Sequence, residues 1–169
     1  MFPEMRRKDR QIGDEQAREI LAGAEYGFLS TVMPDGRSHC VPFNFAMEGD
    51  RIYLHCSTAE GTTLKNLAAD ERVCFSCVGR TKLLPEKFAT LYESCVVFGR
   101  AEIVEDEALR RHGLELLLKK YSPDFPDEGQ AYIEKLFELT AVVHIRIEHI
   151  SGKARRANGA SNLDFLGKE

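Results

Sequence analysis

There is no tryptophan among the 169 residues, so near-ultraviolet signal falls to five tyrosines. No apolar run approaches the roughly 20 residues that a membrane-spanning helix needs, and no membrane association is expected. The opening MFPEMRRKDRQ is basic but has no apolar stretch behind it, so no secretory signal is expected. Neither sign of charge dominates: 23 Lys and Arg face 27 Asp and Glu, for a formal net charge of −4. Nucleic-acid binders usually show a strongly basic face, so no nucleic-acid partner is expected. The sequence has no Gly-rich dinucleotide fingerprint, no P-loop, no G-x-S-x-G and no H-E-x-x-H. That removes the common kinase, serine-hydrolase and zinc-protease readings. No internal repeat or low-complexity tract is visible.

The composition is that of one folded domain. Hydrophobic residues make up 43% and charged residues 30%, too apolar for disorder. Five cysteines (Cys40, Cys56, Cys74, Cys77 and Cys95) are an odd number. With no mark of secretion they read as reduced thiols in a cytoplasmic protein.

A basic arm covers residues 1–12. Gly13-Asp14 then opens a helix, with Asp14 as cap and Ala17, Ile20, Leu21 and Ala24 at helical spacing; Gly27 lies just past its end. Strands follow at residues 28–32, 38–46 and 51–56. They are joined by the turns Met33–Gly36 and Glu48-Gly49-Asp50. A short helix at 62–69 carries Leu64, Leu67 and Ala68 on one face. Residues 72–78 form a strand ended by Gly79, and 94–104 a long strand. A strong helix spans 106–121, its acidic start and Lys119-Lys120 end matching the macrodipole. Leu114, Leu117, Leu118 and Tyr121 are its apolar stripe. Another helix lies at 127–139. Residues 141–150 alternate Val143, Ile145 and Ile147 inward against His144, Arg146 and Glu148 outward, as in a half-buried antiparallel strand. The chain from Ser151 reads as loose, giving one domain at 13–152 and a flexible tail at 153–169. About six strands on hairpin-length turns, with three or four helices, predict an α+β antiparallel barrel carrying helices outside.

Candidate chemistry is sparse. Cys74 and Cys77 stand three apart on a strand, so they face opposite ways and cannot converge on zinc. With the 48–50 turn closing a hairpin, His55 falls opposite roughly Phe43. His39 is then on the order of 13 Å further along, too far for one metal. The loop Ser57-Thr58-Ala59-Glu60-Gly61-Thr62-Thr63 runs into a helix. It reads either as an ordinary start capped by Thr62, or as a phosphate site of free N–H groups, hydroxyls and Lys65. The basic ends (Arg6, Arg7, Lys8, Arg10; Lys153, Arg155, Arg156) read as solvated charge.

The stretches AEYGFLSTVMPDGRSHCVPFNF, IYLHCSTAEGTTLKNL, PEKFATLYESCVVFGRAEIVED, KKYSPDF and HISGKARR occur in an order that resembles one family. It is that of the flavin-binding split-barrel proteins related to pyridoxamine 5′-phosphate oxidase, and within it the nitroimidazole-resistance branch. The resemblance implies a split β-barrel homodimer with FMN in clefts between subunits. It implies Val41, Pro42, Phe43 and Asn44 along the flavin ring, Cys56 and Ser57 at a strand end, Thr62 and Thr63 at the phosphate, with Lys65 nearby, and Ser94 at the ring edge. His55 would stand near the substrate. The activity implied is reduction of a small electron-poor acceptor, such as a nitroaromatic, with NAD(P)H as donor. The alternative is a non-catalytic flavin- or haem-binding protein for storage or sensing. The family usually has a lysine where Thr63 stands. Lys65 lies about 200° further round the helix, which leaves FAD or haem as alternative cofactors. The oxidase's Trp-containing C-terminal segment has no counterpart, so pyridoxamine-phosphate oxidation itself is not expected.

Overall fold

The computed structural model describes residue 2, residues 4–59 and residues 61–156. Strand β1 (Gln11–Ile12) precedes helix α1 (Asp14–Gly23), followed by β2 (Gly27–Val32), β3 (Ser38–Phe43), β4 (Phe45–Glu48) and β5 (Arg51–Ser57). Helix α2 (Thr62–Ala69) leads to the long pair β6 (Arg72–Leu84) and β7 (Ala89–Ile103). Helices α3 (Glu107–Tyr121) and α4 (Pro126–Leu136) then precede β8 (Thr140–Arg155). The strands form one antiparallel sheet in the order β3-β2-β6-β7-β8-β5-β4, with β1 on β8.

The two ends of that path, β3 and β4, are consecutive in sequence and separated only by Asn44. The sheet therefore curls until its ends nearly meet without pairing, which makes a split barrel. The single strand expected at 38–46 is two strands, because residues on either side of Asn44 serve opposite ends of the sheet. At this break the Tyr121 hydroxyl replaces a neighbouring strand. It accepts from the Phe45 N–H at 2.9 Å, and its one proton is shared between the carbonyls of Glu25 (2.6 Å) and Phe45 (2.9 Å).

Several expected boundaries move for identifiable reasons. Gly79 does not end β6. The strand passes it through a bulge between Val78 and Thr81, where a side chain at Gly79 would come within 3.1 Å of Ile20 on α1. The segment before residue 94 is strand as well, so Ser94 lies inside β7 and does not open it. Residues Ser151–Arg155, expected to be loose, pair with β7 and with β1. The rest of the expected tail, 157–169, lies outside the described residues. Gly13, not Asp14, occupies the N-cap of α1, and Asp14 stands in the first turn, where its charge suits the dipole. Gly61, not Thr62, caps α2. The buried side of α2 is Asn66 and Leu67, while Ala68 is exposed. Asn66 donates to Thr31 at 2.9 Å, so two buried polar groups satisfy each other.

Two apolar clusters follow from this layout. Inside the barrel, Leu29, Phe45, Ile52, Leu54, Phe75, Val97 and Ile145 pack with Ala17 and Leu21 of α1. Phe45 and Phe75 meet edge to face at 4.9 Å. Each such side chain contributes roughly 1.5–3 kcal/mol by burial. Outside the barrel, α3, α4 and the turn that follows α4 press Leu114, Leu117, Ile133 and Phe137 onto Ala46, Tyr53 and Val142. The start of β8 is thus covered on both faces, and His144, expected outward, is buried. Asp106 caps α3 by accepting from the Leu109 N–H at 2.8 Å. Among the described residues no helix is long and apolar enough to cross a membrane.

Candidate functional site

Strand β3 has a paired neighbour on one side only, β2. Its other edge leaves backbone polar groups without a strand partner, and Pro42, which has no N–H, suits such an edge. Alternation sends Val41 and Phe43 toward the barrel interior, where Phe43 packs on the core, and leaves Pro42 and Asn44 exposed. His39, on the same strand, has a buried Nδ1 without a partner.

Asn44 and His55 come together in a cavity of about 580 Å³. The expected register with Phe43 does not occur: β5 pairs Leu54 with Phe45, and His55 lies beside Val142 of β8. Asn44, at the break between β3 and β4, and the strand residues His55 and Thr140 make the cavity floor, while Leu114, Leu117, Leu118 and Tyr121 of α3 and Tyr132 and Ile133 of α4 make its walls. Desolvation by the surrounding cavity lowers the His55 pKa from its ordinary value, although the residue is exposed. The imidazole is therefore neutral at neutral pH.

Cys56 follows His55, and burial pushes its thiol up, so it stays protonated. The Ser57 hydroxyl accepts from the Ala59 N–H at 3.1 Å, and the Thr58 N–H bonds to the Leu139 carbonyl at 3.0 Å. These bonds aim the chain into α2. Gly61 brings no side-chain cap, so the first-turn N–H groups are not satisfied by one. Thr62 is exposed, Thr63 half-buried, and Lys65 exposed one turn on. Ser94 sits on the outward side of β7 between Val78 and Lys153. Neither Ser94 nor the two threonines line the Asn44–His55 cavity. Among the described residues no cluster of His, Cys, Asp or Glu could hold a metal. Cys74 is half-buried and Cys77 buried on opposite faces of β6, as their spacing requires.

Groups of these kinds can receive a phosphorylated flat heterocycle. They provide an unpaired strand edge, a hydroxyl-bearing loop, and a helix start whose N-cap residue, Gly61, has no capping side chain. A second depression, about 630 Å³ beside α1, holds none of the predicted flavin-site residues, but it does hold Arg156, which the sequence reads as solvated. There Arg80 and Arg156 both close on the buried Glu93. Burial alone would raise that carboxyl, but the two guanidiniums more than offset it and hold it below the usual range.

Sequence reasoning missed the helical wall. Leu114, Leu117, Leu118 and Tyr121 read as a stripe facing the core, and part of that stripe faces the cavity. The segment KKYSPDF held the signal, since Tyr121, Ser122 and Phe125 all line it.

Comparison with known proteins fits this geometry. No curated protein matches the sequence. Among solved structures, a candidate 5-nitroimidazole antibiotic resistance protein from Bacteroides thetaiotaomicron is 25% identical, with 85% of each chain covered and a TM-score of 0.70. The flavocytochrome Anf3 from Azotobacter vinelandii is 26% identical over 91% of this chain and 73% of its own, with a TM-score of 0.73. An FAD- and haem-binding protein from Mycobacterium smegmatis, 21% identical over 88% of this chain and 74% of its own, shares the fold at a TM-score of 0.71. The family model described as pyridoxamine 5′-phosphate oxidase matches residues 13–154, nearly the whole of the described barrel, and the chain belongs to that family.

Proposed function

We propose that the protein is an FMN-dependent oxidoreductase that reduces a small electron-poor acceptor, such as a nitroaromatic, at the expense of NAD(P)H. The observation that carries this reading is the meeting of Asn44 and His55 in an apolar cavity beside an unpaired strand edge. FMN would be held by β3 through Val41, Pro42, Phe43 and Asn44, by Cys56 and Ser57, and by Ser94. Its phosphate would lie at Thr62 and Thr63, near Lys65. When bound, the flavin supplies the redox chemistry. The chain's own part is to bind, orient and exclude water. Neutral His55 orients the acceptor through a ring N–H, and in its protonated form it delivers a proton.

The site is completed by a second copy of the chain. The outward sheet face leaves Phe28, Val32 and Val78 exposed, and at the β6–β7 hairpin Leu83 is 72% and Phe88 98% exposed. Apolar groups gathered this way support a protein interface. The free thiols of all five cysteines suit a reducing cytoplasm.

The absorbance spectrum of the purified protein, followed by NAD(P)H oxidation with a nitroaromatic acceptor, tests the reading. Flavin bands with turnover above that of free FMN are expected. The likeness to a flavocytochrome favours one rival, a haem-binding protein without turnover. A Soret band, or flavin bands without turnover, would decide for storage or sensing.

A further inference from the structure

We infer that the cavity between α3 and α4 is the acceptor site, and that it admits uncharged flat aromatic molecules and rejects anions. The inference rests on the oxidoreductase reading for its chemistry and on the cavity for its selectivity. Leucines 114, 117 and 118 with Ile133 give apolar walls. Phe125 and Tyr132 stand 61% and 65% exposed at the same cavity, so their ring faces are open to a flat ligand. Among the described residues Glu128 is the one acidic or basic side chain of the lining besides His55, so with His55 neutral an anion would enter against both an apolar wall and a carboxylate.

The polar groups available to a ligand are few. The Tyr121 hydroxyl is committed to Phe45 and Glu25, and the Thr140 hydroxyl donates to the Leu136 carbonyl at 2.9 Å. That leaves the Asn44 amide and His55 on the floor, with the Ser122 and Tyr132 hydroxyls and the Glu128 carboxylate, to fix the orientation of a ligand that is otherwise held by apolar contact. Cavity size is set where α4 crosses α3. A side chain at Gly129 would lie 2.1 Å from a methyl of Leu118, so any larger residue forces Leu118, itself a wall, to move.

The missing tryptophan makes the test direct. Tyr132→Trp places the only tryptophan at the rim, on an exposed position. Titrating this protein with p-nitroanisole is expected to quench its fluorescence along a saturating one-site curve, with or without FMN. Its anionic analogue 4-nitrobenzoate is expected to bind at least about tenfold more weakly, and Glu128→Gln to narrow that gap. Gly129→Ala, which favours helix and so spares folding, is expected to weaken p-nitroanisole by about tenfold through Leu118. FMN uptake in that variant is expected to be unchanged. Protein that takes up FMN yet shows no saturable quenching, or binds both probes equally, overturns the inference and leaves the flavin reading standing. Protein that binds p-nitroanisole but takes up no FMN overturns the flavin reading, and with it the assignment of the cavity to an acceptor.

Discussion

The two halves of the curled sheet carry the same alternation and meet different fates. Where β5 and the start of β8 turn outward, α3 and α4 cover them, and Tyr53 and Val142 are 2% and 0% exposed. Where β2 and β6 turn outward, no helix among the described residues buries Phe28, Val32 or Val78, and Val78 is 55% exposed. Both faces carry apolar side chains. What differs is whether the same chain supplies the second layer. One half is finished by its own helices and keeps a cavity between them. The other half is left for another surface, which is the physical basis for proposing a second copy.

The sharpest way to break this comparison is a matched pair of truncations. Leu117→Ala, under α3, is expected to cost about 2–4 kcal/mol in urea unfolding, from lost burial and the cavity left behind. Val78→Ala is expected to cost well under about 1 kcal/mol in a single chain. A cost at Val78 close to that at Leu117, falling with dilution, would show that the open half is buried in an assembly. Equal, concentration-independent costs would show that the halves are not different at all.

Next in size is the seam between the halves. Tyr121→Phe removes the hydroxyl that serves both the N–H and the carbonyl of Phe45. We expect a loss of about 1–3 kcal/mol, because buried backbone groups are left without partners. Since Asn44 is the neighbouring residue and lines the cavity, the probe affinity of the single-tryptophan protein should fall as well. An unchanged unfolding midpoint would mean that water takes over both bonds.

Much of the covered half was legible in the sequence. The stripe of α3, its acidic cap and its basic end announced a helix packed on something apolar. The alternation of β8 announced a strand. It did not announce that α3 would bury the opposite face too, so His144 was placed in solvent. It lies instead against Tyr53 and pairs with Glu102 at 3.2 Å. The open half was harder to read. Gly79 looks like a strand terminator and is a close-packing point under Ile20. Pro42 and Asn44 are the local marks of the division at Asn44, but they do not say that the residues on either side serve opposite ends of the sheet, because a long-range requirement, the closing of the barrel, imposes that. Asn44 and His55 were both named from the sequence. That they share a cavity follows from the path of the chain, and no local pattern encodes that path.

His55 tests the finished half through its chemistry. His55→Ala is expected to spare FMN binding and to reduce acceptor turnover roughly tenfold to a hundredfold, the usual span for a proton donor. Desolvation by the surrounding cavity lowers the His55 pKa from its ordinary value of about 6.5. The protonated fraction therefore grows only as the pH falls below neutrality, and turnover limited by proton delivery should rise in that direction. The rise should vanish in His55→Ala. A flat profile in the parent protein would confine His55 to orienting the acceptor.

The smallest effect belongs to the open half, at the start of α2. Thr63 stands where the family usually has a lysine, and Gly61 supplies no cap, so the phosphate would rely on N–H groups and hydroxyls. A charge-assisted bond is roughly twice as strong as a neutral one. Thr63→Lys should therefore tighten FMN about tenfold, worth about 1.4 kcal/mol, measured by fluorescence titration. Because Thr63 is only half-buried, the gain should shrink as salt rises. A dissociation constant that does not move at low salt would place the phosphate elsewhere. The basic side chains near the open face, Arg155 among them, would then become the first candidates, and the cofactor would be bound chiefly by the half of the molecule that a second chain completes.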